Sequence, residues 1–143
     1  MASEILWPLC HHVATVFRHK YHVARAGRSL GVSWRRCLIH DVSKLMPSEA
    51  LPYARHFYGR GSSQEEFDRA WSEHWHRNDH HWQYWRGREM SEDAVREMVA
   101  DWLGASAVYG GWFWDWYEKN KSRIELGPEA REILTRVLKE VGE

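Results

Sequence analysis

Cysteine is nearly absent from the chain: Cys10 and Cys37 are the only two in 143 residues, and they form no CxxC pair. A disulfide framework or a cysteine-based zinc site is therefore disfavoured, and two reduced, semi-buried thiols are expected. Net charge is absent too, because 20 Lys and Arg balance 20 Asp and Glu. No overall field draws the chain to nucleic acid or an anionic membrane, so charge acts only where it clusters. Long apolar runs are missing, with no window near the ~18 to 20 residues of a membrane span. Met1 to Pro8 also lacks the basic start and apolar run of a signal peptide. A soluble, cytoplasmic protein with no membrane partner is expected. There is no internal repeat or low-complexity stretch, and a chain 28% charged and 43% hydrophobic need not be disordered. At 17.1 kDa it suits one domain over residues 1–143, with its core over 9–109 and C-terminal packing helices over 112–143. What it has in abundance is ten His and ten Trp, against four Phe.

The periodicity predicts an all-α, compact bundle of about six to seven helices. His12, Val16, His19, Val23, Ala26 and Leu30 recur at spacings of four and three, one stripe of a helix from Leu9 to Leu30. Pro8 suits its first position and Gly31 its end. Ser33 is a candidate N-cap for a short helix to about His40. Pro47 starts a third segment that stops near Gly59 and Gly61. Ser62 and Ser63, followed by Glu65 and Glu66, offer either register of a capping box for a fourth helix, Ser63 to about Arg77. The run NDHHWQYWRG, Asn78 to Gly87, has no clean period and reads as a turn or irregular segment. Ser91 caps a fifth helix through about Leu103. A short aromatic helix is expected over Trp112 to Tyr117. Gly127-Pro128 opens a last amphipathic helix burying Ala130, Ile133, Leu134, Val137, Leu138 and Val141.

His40-Asp41 carries the strongest chemical signal, at the end of the apolar string CLIHDVSKL. Imidazole and carboxylate both ligate borderline metals, and a carboxylate can bridge two ions. Alone, such a pair reads equally well as a helix end hydrogen-bonded to backbone. Its company changes the balance: His19 on the first stripe, His74 on the apolar side of the fourth helix, His80-His81 beyond it, and Asp101 on the inner face of the fifth. Each costs free energy if buried unpaired, and all are satisfied together by converging on metal.

The order His, His-Asp, His and a distal Asp resembles the ligand pattern of the HD-domain superfamily, mostly metal-dependent phosphohydrolases on an all-helical fold. Val23-Ala24 stand at the spacing after His19 that is common there, and HDVSK matches the usual His-Asp-x-Gly-Lys with Ser43 for Gly and Lys44 retained. More narrowly, the stretches RHKYHVARAGRSLGV, IHDVSK, PSEALPYARHFYG, FDRAWSEHWHRNDHHWQYW and REMVADWLGASAVY resemble an uncharacterised bacterial and phage family within it. They span roughly Arg18 to Tyr109. Val42, Leu45 and Asp79 depart from that family's common residues, and none of them removes a candidate ligand.

The resemblance implies a first metal site of His19, His40, Asp41 and Asp101. Asp41 would bridge to a second ion held by His74 and by His80, His81 or both. His74 and His80 stand ~240° apart on a continuous helix, so sharing an ion requires the break that Asn78-Asp79 supplies. A mononuclear site, with these histidines binding substrate or leaving group, stays open. The implied cofactor is one or two divalent transition-metal ions: Mn, Fe, Zn or Co. The expected activity is hydrolysis of a nucleotide or another small phosphorylated molecule by a metal-bound hydroxide, with Asp41, His74 and Lys44 as catalytic residues. Lys20, Arg77, Tyr53, Trp82 and Tyr84 are substrate-binding candidates. Glu49, Glu73 and Glu97 are equal candidates to orient ligand histidines.

Other readings compete. The same ligands suit an HD-type di-iron oxygenase that cleaves a C–C or C–P bond with dioxygen. A non-catalytic module could stack nucleotides or single strands on NDHHWQYWRGR, which the neutral charge argues against. His11, His12, His22, His56 and His76 have no motif support and read as core or helix-end residues. Trp71, Trp75, Trp82, Trp85 and Trp102 flank the ligands, as a pocket wall or simply as core. The run Trp112 to Tyr117 is expected to pack the last helix or form a subunit contact, the one hint of a homodimer.

Overall fold

Polar caps set where most helices start. In the computed structural model, which describes residues 2–59 and 61–142, Ser33, Ser63 and Ser91 each accept a hydrogen bond from the backbone N–H three residues on. They open α2 (Trp34–Ile39), α4 (Gln64–Arg77) and α5 (Glu92–Tyr109). The capping-box ambiguity resolves to Ser63, whose hydroxyl takes the Glu66 N–H at 3.1 Å. Pro47 occupies the first position of α3 (Pro47–Tyr58), and Pro128 that of α7 (Pro128–Val141). Because the α7 N-cap Gly127 has no side chain, Glu89 does the capping, accepting from the Ala130 N–H at 3.1 Å. A Cβ on Gly127 would fall 2.1 Å from that carboxylate. With α1 (Ala2–Ser29) and α6 (Phe113–Asn120), the described residues form seven helices and no strand.

Two expectations about helix ends change. The first helix does not begin at Pro8 but runs from Ala2, so Pro8 lies inside α1. As the seventh residue it lies past the first turn, so its missing N–H removes one intrahelical hydrogen bond. The fifth helix does not stop near Leu103 and Gly104 but continues to Tyr109, ending at Gly110 with φ 84°. Gly104 is there for contact: a Cβ on it would lie 2.5 Å from Val23 Cγ2 and 3.0 Å from the Val23 backbone nitrogen. A glycine thus lets α1 and α5 cross closely.

That crossing organises the molecule. α1 packs along α5 on one side and α3 on the other, α4 lies on α3, and α7 covers the far side of α5. The apolar core fills the α1–α5–α7 side, with Val23, Val95, Val99, Leu134 and Val137 buried. The opposite side of the α1–α5 seam is polar, and the histidines collect there. Although α1 is 28 residues long, no helix among the described residues is long and apolar enough to cross a membrane. Cys10 is exposed, Cys37 is buried, and both are free thiols.

Candidate metal centre

Each ligand-type side chain arrives from a different element. His19 comes from the middle of α1, and His40 and Asp41 from the end of α2 and the turn after it. His74 lies on the last turn of α4, and Asp101 on α5. α4 ends at Arg77, and Asn78 caps it in extended conformation with its side-chain amide donating to the His74 carbonyl at 2.7 Å. The break lets His80 and His81 fold back beneath His74. Asp41 is the one described non-glycine residue with positive φ, 54°. Aspartate tolerates that left-handed conformation better than most residues.

Asp41 divides the cluster. Its Oδ2 lies 3.6 Å from both His19 Nε2 and His40 Nε2. Its Oδ1 lies 3.3 Å from both His74 Nε2 and His80 Nε2. Asp101 Oδ1 completes the first group, 2.8 Å from His19 Nε2 and 3.4 Å from His40 Nε2. His81 completes the second, its Nε2 2.9 Å from His74 Nε2. Within each group, one ligand atom per residue lies within 4.8 Å of all the others. His40, Asp41, His74 and His80 are no more than 2% exposed.

A second layer fixes the rings. His40 Nδ1–H donates to Glu97 Oε1 at 2.8 Å, and His74 Nδ1–H donates to Glu49 Oε2 at 2.9 Å, which turns each Nε2 inward. His80 Nδ1 lies 3.3 Å from the same Glu97 oxygen. Arg36 Nε holds the other Glu97 oxygen at 2.5 Å and also pairs with Asp79. Arg77 Nη1 holds Glu49 Oε1 at 2.7 Å, and Ser43 donates to Glu49 Oε2. Glu73 takes no part and pairs with Arg77 at 3.1 Å. Of the three glutamates, Glu49 and Glu97 therefore orient ligand-type histidines.

The electrostatics follow from burying so many groups together. Burial pushes the Asp41 carboxyl up, but His40, Lys44 and His74 outweigh it and hold it well below the usual carboxylate range. Asp101 is held down in the same way against its own burial by His19 and His40. Burial lowers His80, yet the neighbouring carboxylates of Asp41 and Glu97 prevail and push it up to about 10. His81 goes the other way: burial and the charge of His80 keep it neutral, well below the usual imidazole value. Asp41 Oδ1 and His80 Nε2 stay without a hydrogen-bond partner although buried. Orphaned buried polar atoms are rare and costly, and an ion bound by both would satisfy them. Histidine nitrogens and carboxylate oxygens with no sulfur suit Zn, Mn, Fe or Co. The buried groups can therefore hold a metal ion.

The remaining candidates separate. Lys44 Nζ lies 2.7 Å from Asp41 Oδ2 and faces a cavity of about 700 Å³ above the cluster. Tyr53, Trp82 and His81 line that cavity. Lys20 is engaged elsewhere, donating to the carbonyls of Leu38 and His40 at the end of α2. Arg77 serves Glu49, and Tyr84 packs against Trp85 and Arg88, both outside the cavity lining. His12 is buried with Nε2 on the Lys44 carbonyl at 2.9 Å, a core histidine that braces the lysine's backbone. Trp112 and Trp116 line the cavity, while Trp114 and Tyr117 pack against the core as expected of that run.

Residue patterning missed Arg36, Asp79 and the Trp112–Trp116 wall. For Arg36 a signal existed, since it precedes His40 by four residues, one helical turn; Glu97 stands likewise to Asp101. A family of unknown function, DUF5662, matches residues 10–140. The chain belongs to that family. The matched span of this DUF5662 member contains every ligand-type residue described above. No curated protein and no solved structure gives a significant match to the chain.

Proposed function

We propose that the chain is a metal-dependent phosphohydrolase of HD type, acting on a small phosphorylated molecule. One observation carries this reading: the two oxygens of a buried aspartate face two separate histidine groups, which reach a cavity through His19 and Asp101 of one group and His81 of the other. Divalent ions bound there would supply a Lewis acid and an activated water. Glu49 and Glu97 hold His74 and His40 with Nε2 free to ligate. Lys44 keeps its proton, because the neighbouring carboxylates Asp41 and Asp101 outweigh its burial, and it presents a fixed positive charge to a phosphoryl oxygen. In the reaction, a water oxygen bonds to phosphorus and the ester P–O bond breaks. The leaving oxygen takes a proton, giving the alcohol and inorganic phosphate.

The test begins with elemental analysis of purified protein. Metal below about 0.2 per chain, with no rise in melting temperature on adding Zn, Mn, Fe or Co, would overturn the reading. A phosphoester panel assayed with and without oxygen, using Asp41→Ala as blank, separates the reaction classes. Oxygen-independent turnover supports hydrolysis. Turnover that requires iron and oxygen would replace it with the oxygenase reading, in which the same donors hold two irons.

A further inference from the structure

The cavity is larger and less polar than a phosphoryl group requires. At about 700 Å³ it lies within the range of pockets that enclose a whole small molecule. Five of the chain's ten tryptophans line it: Trp71, Trp82, Trp102, Trp112 and Trp116. Trp102 and Trp116 stand with ring centroids 5.3 Å apart at 47°, a tilted pair that exposes flat apolar surface to the cavity. The cations facing it are two. Lys44 is committed to Asp41 at 2.7 Å, which leaves Arg123 as the one lining cation with no ion pair among the described residues.

Beyond the one phosphoryl group that the Asp41 cluster and Lys44 would meet, the further charges of a polyphosphate would lose much of their hydration against aromatic walls, with Arg123 as the other lining cation to meet them. An apolar ring loses nothing by the same transfer and gains from each area of tryptophan it covers. We infer that the cavity takes an apolar, ring-bearing body. Resting on the phosphohydrolase reading, the substrate is then a phosphomonoester of a ring-bearing alcohol, with the phosphate at the Asp41 cluster and the ring against Trp102 and Trp116.

The test compares three substrates on the metal-loaded protein: 1-naphthyl phosphate, glycerol 1-phosphate and a nucleoside triphosphate. In parallel, binding of 1-naphthol to the metal-free wild-type chain is measured by calorimetry. Expected are a kcat/KM for the naphthyl ester about 30-fold above the other two, a scale set by burial of one ring system, and saturable binding of 1-naphthol without metal. In Trp102→Leu the naphthyl-to-glycerol ratio falls at least about fivefold and 1-naphthol binding weakens in step. Trp116→Leu serves the same purpose if Trp102→Leu does not fold. Equal turnover of all three substrates, or preference for the triphosphate, would overturn the inference and leave the phosphohydrolase reading intact. Saturable 1-naphthol binding with no phosphoester turned over would overturn the phosphohydrolase reading and support the cavity's ligand class. Absence of 1-naphthol binding overturns the inference whichever ester is cleaved.

Discussion

Asp41 shows how much one residue can be asked to do. Its left-handed backbone turns the chain out of α2, and its two oxygens serve two different histidine groups. Asp41→Asn retains a residue that tolerates that backbone while removing the charge. Elemental analysis of this variant is expected to show loss of metal at both groups, with the helical circular dichroism of wild type; metal retained at the wild-type level would contradict the shared role. Glu97 makes a second, separable case. It is buried, held by Arg36, and reaches one histidine from each group. Glu97→Gln should weaken metal binding by about 10- to 100-fold, as loss of an outer partner generally does. Both affinities should fall together in a calorimetric titration, because His40 and His80 lose the same support. A loss confined to one affinity would show that the two rings are oriented independently.

At the scale of elements, the α1–α5 crossing couples stability to the site. Val23 meets Gly104 in the core, and His19 lies one turn before Val23 on the same face of α1. Gly104→Ala puts a methyl 3.0 Å from backbone, where no side chain can rotate away. Overpacking of this kind costs about 1 to 3 kcal/mol. Thermal unfolding of the variant should start several degrees lower, and displacement of α1 should weaken metal binding as well, whereas a core substitution remote from the crossing should leave metal binding alone. Leu134→Ala on α7 provides that contrast. It empties a site 2% exposed in the core, at an expected cost of about 2 to 5 kcal/mol. The metal affinity of the folded fraction should stay at the wild-type value, since α7 contributes no ligand.

Taken whole, the molecule sets a buried charge cluster beside an apolar core, and pH acts on the cluster. In the metal-free chain Asp41, Asp101, Glu49 and Glu97 titrate below their ordinary values, because their histidine, lysine and arginine partners outweigh burial. Their contribution to stability is present above the usual carboxylate range and is lost as pH falls through the depressed folded values. His80 is raised to about 10 from 6.5, so its contribution is complete below about 6.5 and is lost as pH rises through about 10. His81 and His12 are lowered by burial, so their contribution is lost as pH falls below about 6.5, and calorimetry in chelator is expected to place maximum stability near pH 6.5. Metal competes with the imidazole proton, so adding it should move the maximum upward in pH. An unchanged maximum would mean that the metal does not engage these histidines.

The all-helical class, the serine caps, the break after Arg77 and the residues able to ligate were legible in the sequence. Each is local: a period of 3.6, a hydroxyl three residues before an N–H, or a side-chain type at a given position. The ends of α1 and α5 were not legible, because Pro8 reads as a first helical position and Gly104 as a stop until its close approach to Val23 of α1 is present. The choice among Glu49, Glu73 and Glu97 was equally hidden, since orienting a ring depends on distances between α3, α4, α5 and the end of α2 that no spacing encodes. Tertiary structure alone assembled Asp41 between its two histidine groups and turned Trp112 and Trp116 onto the cavity above them. Such contacts join residues tens of positions apart, and they exist only once apolar burial has packed the helices that carry them.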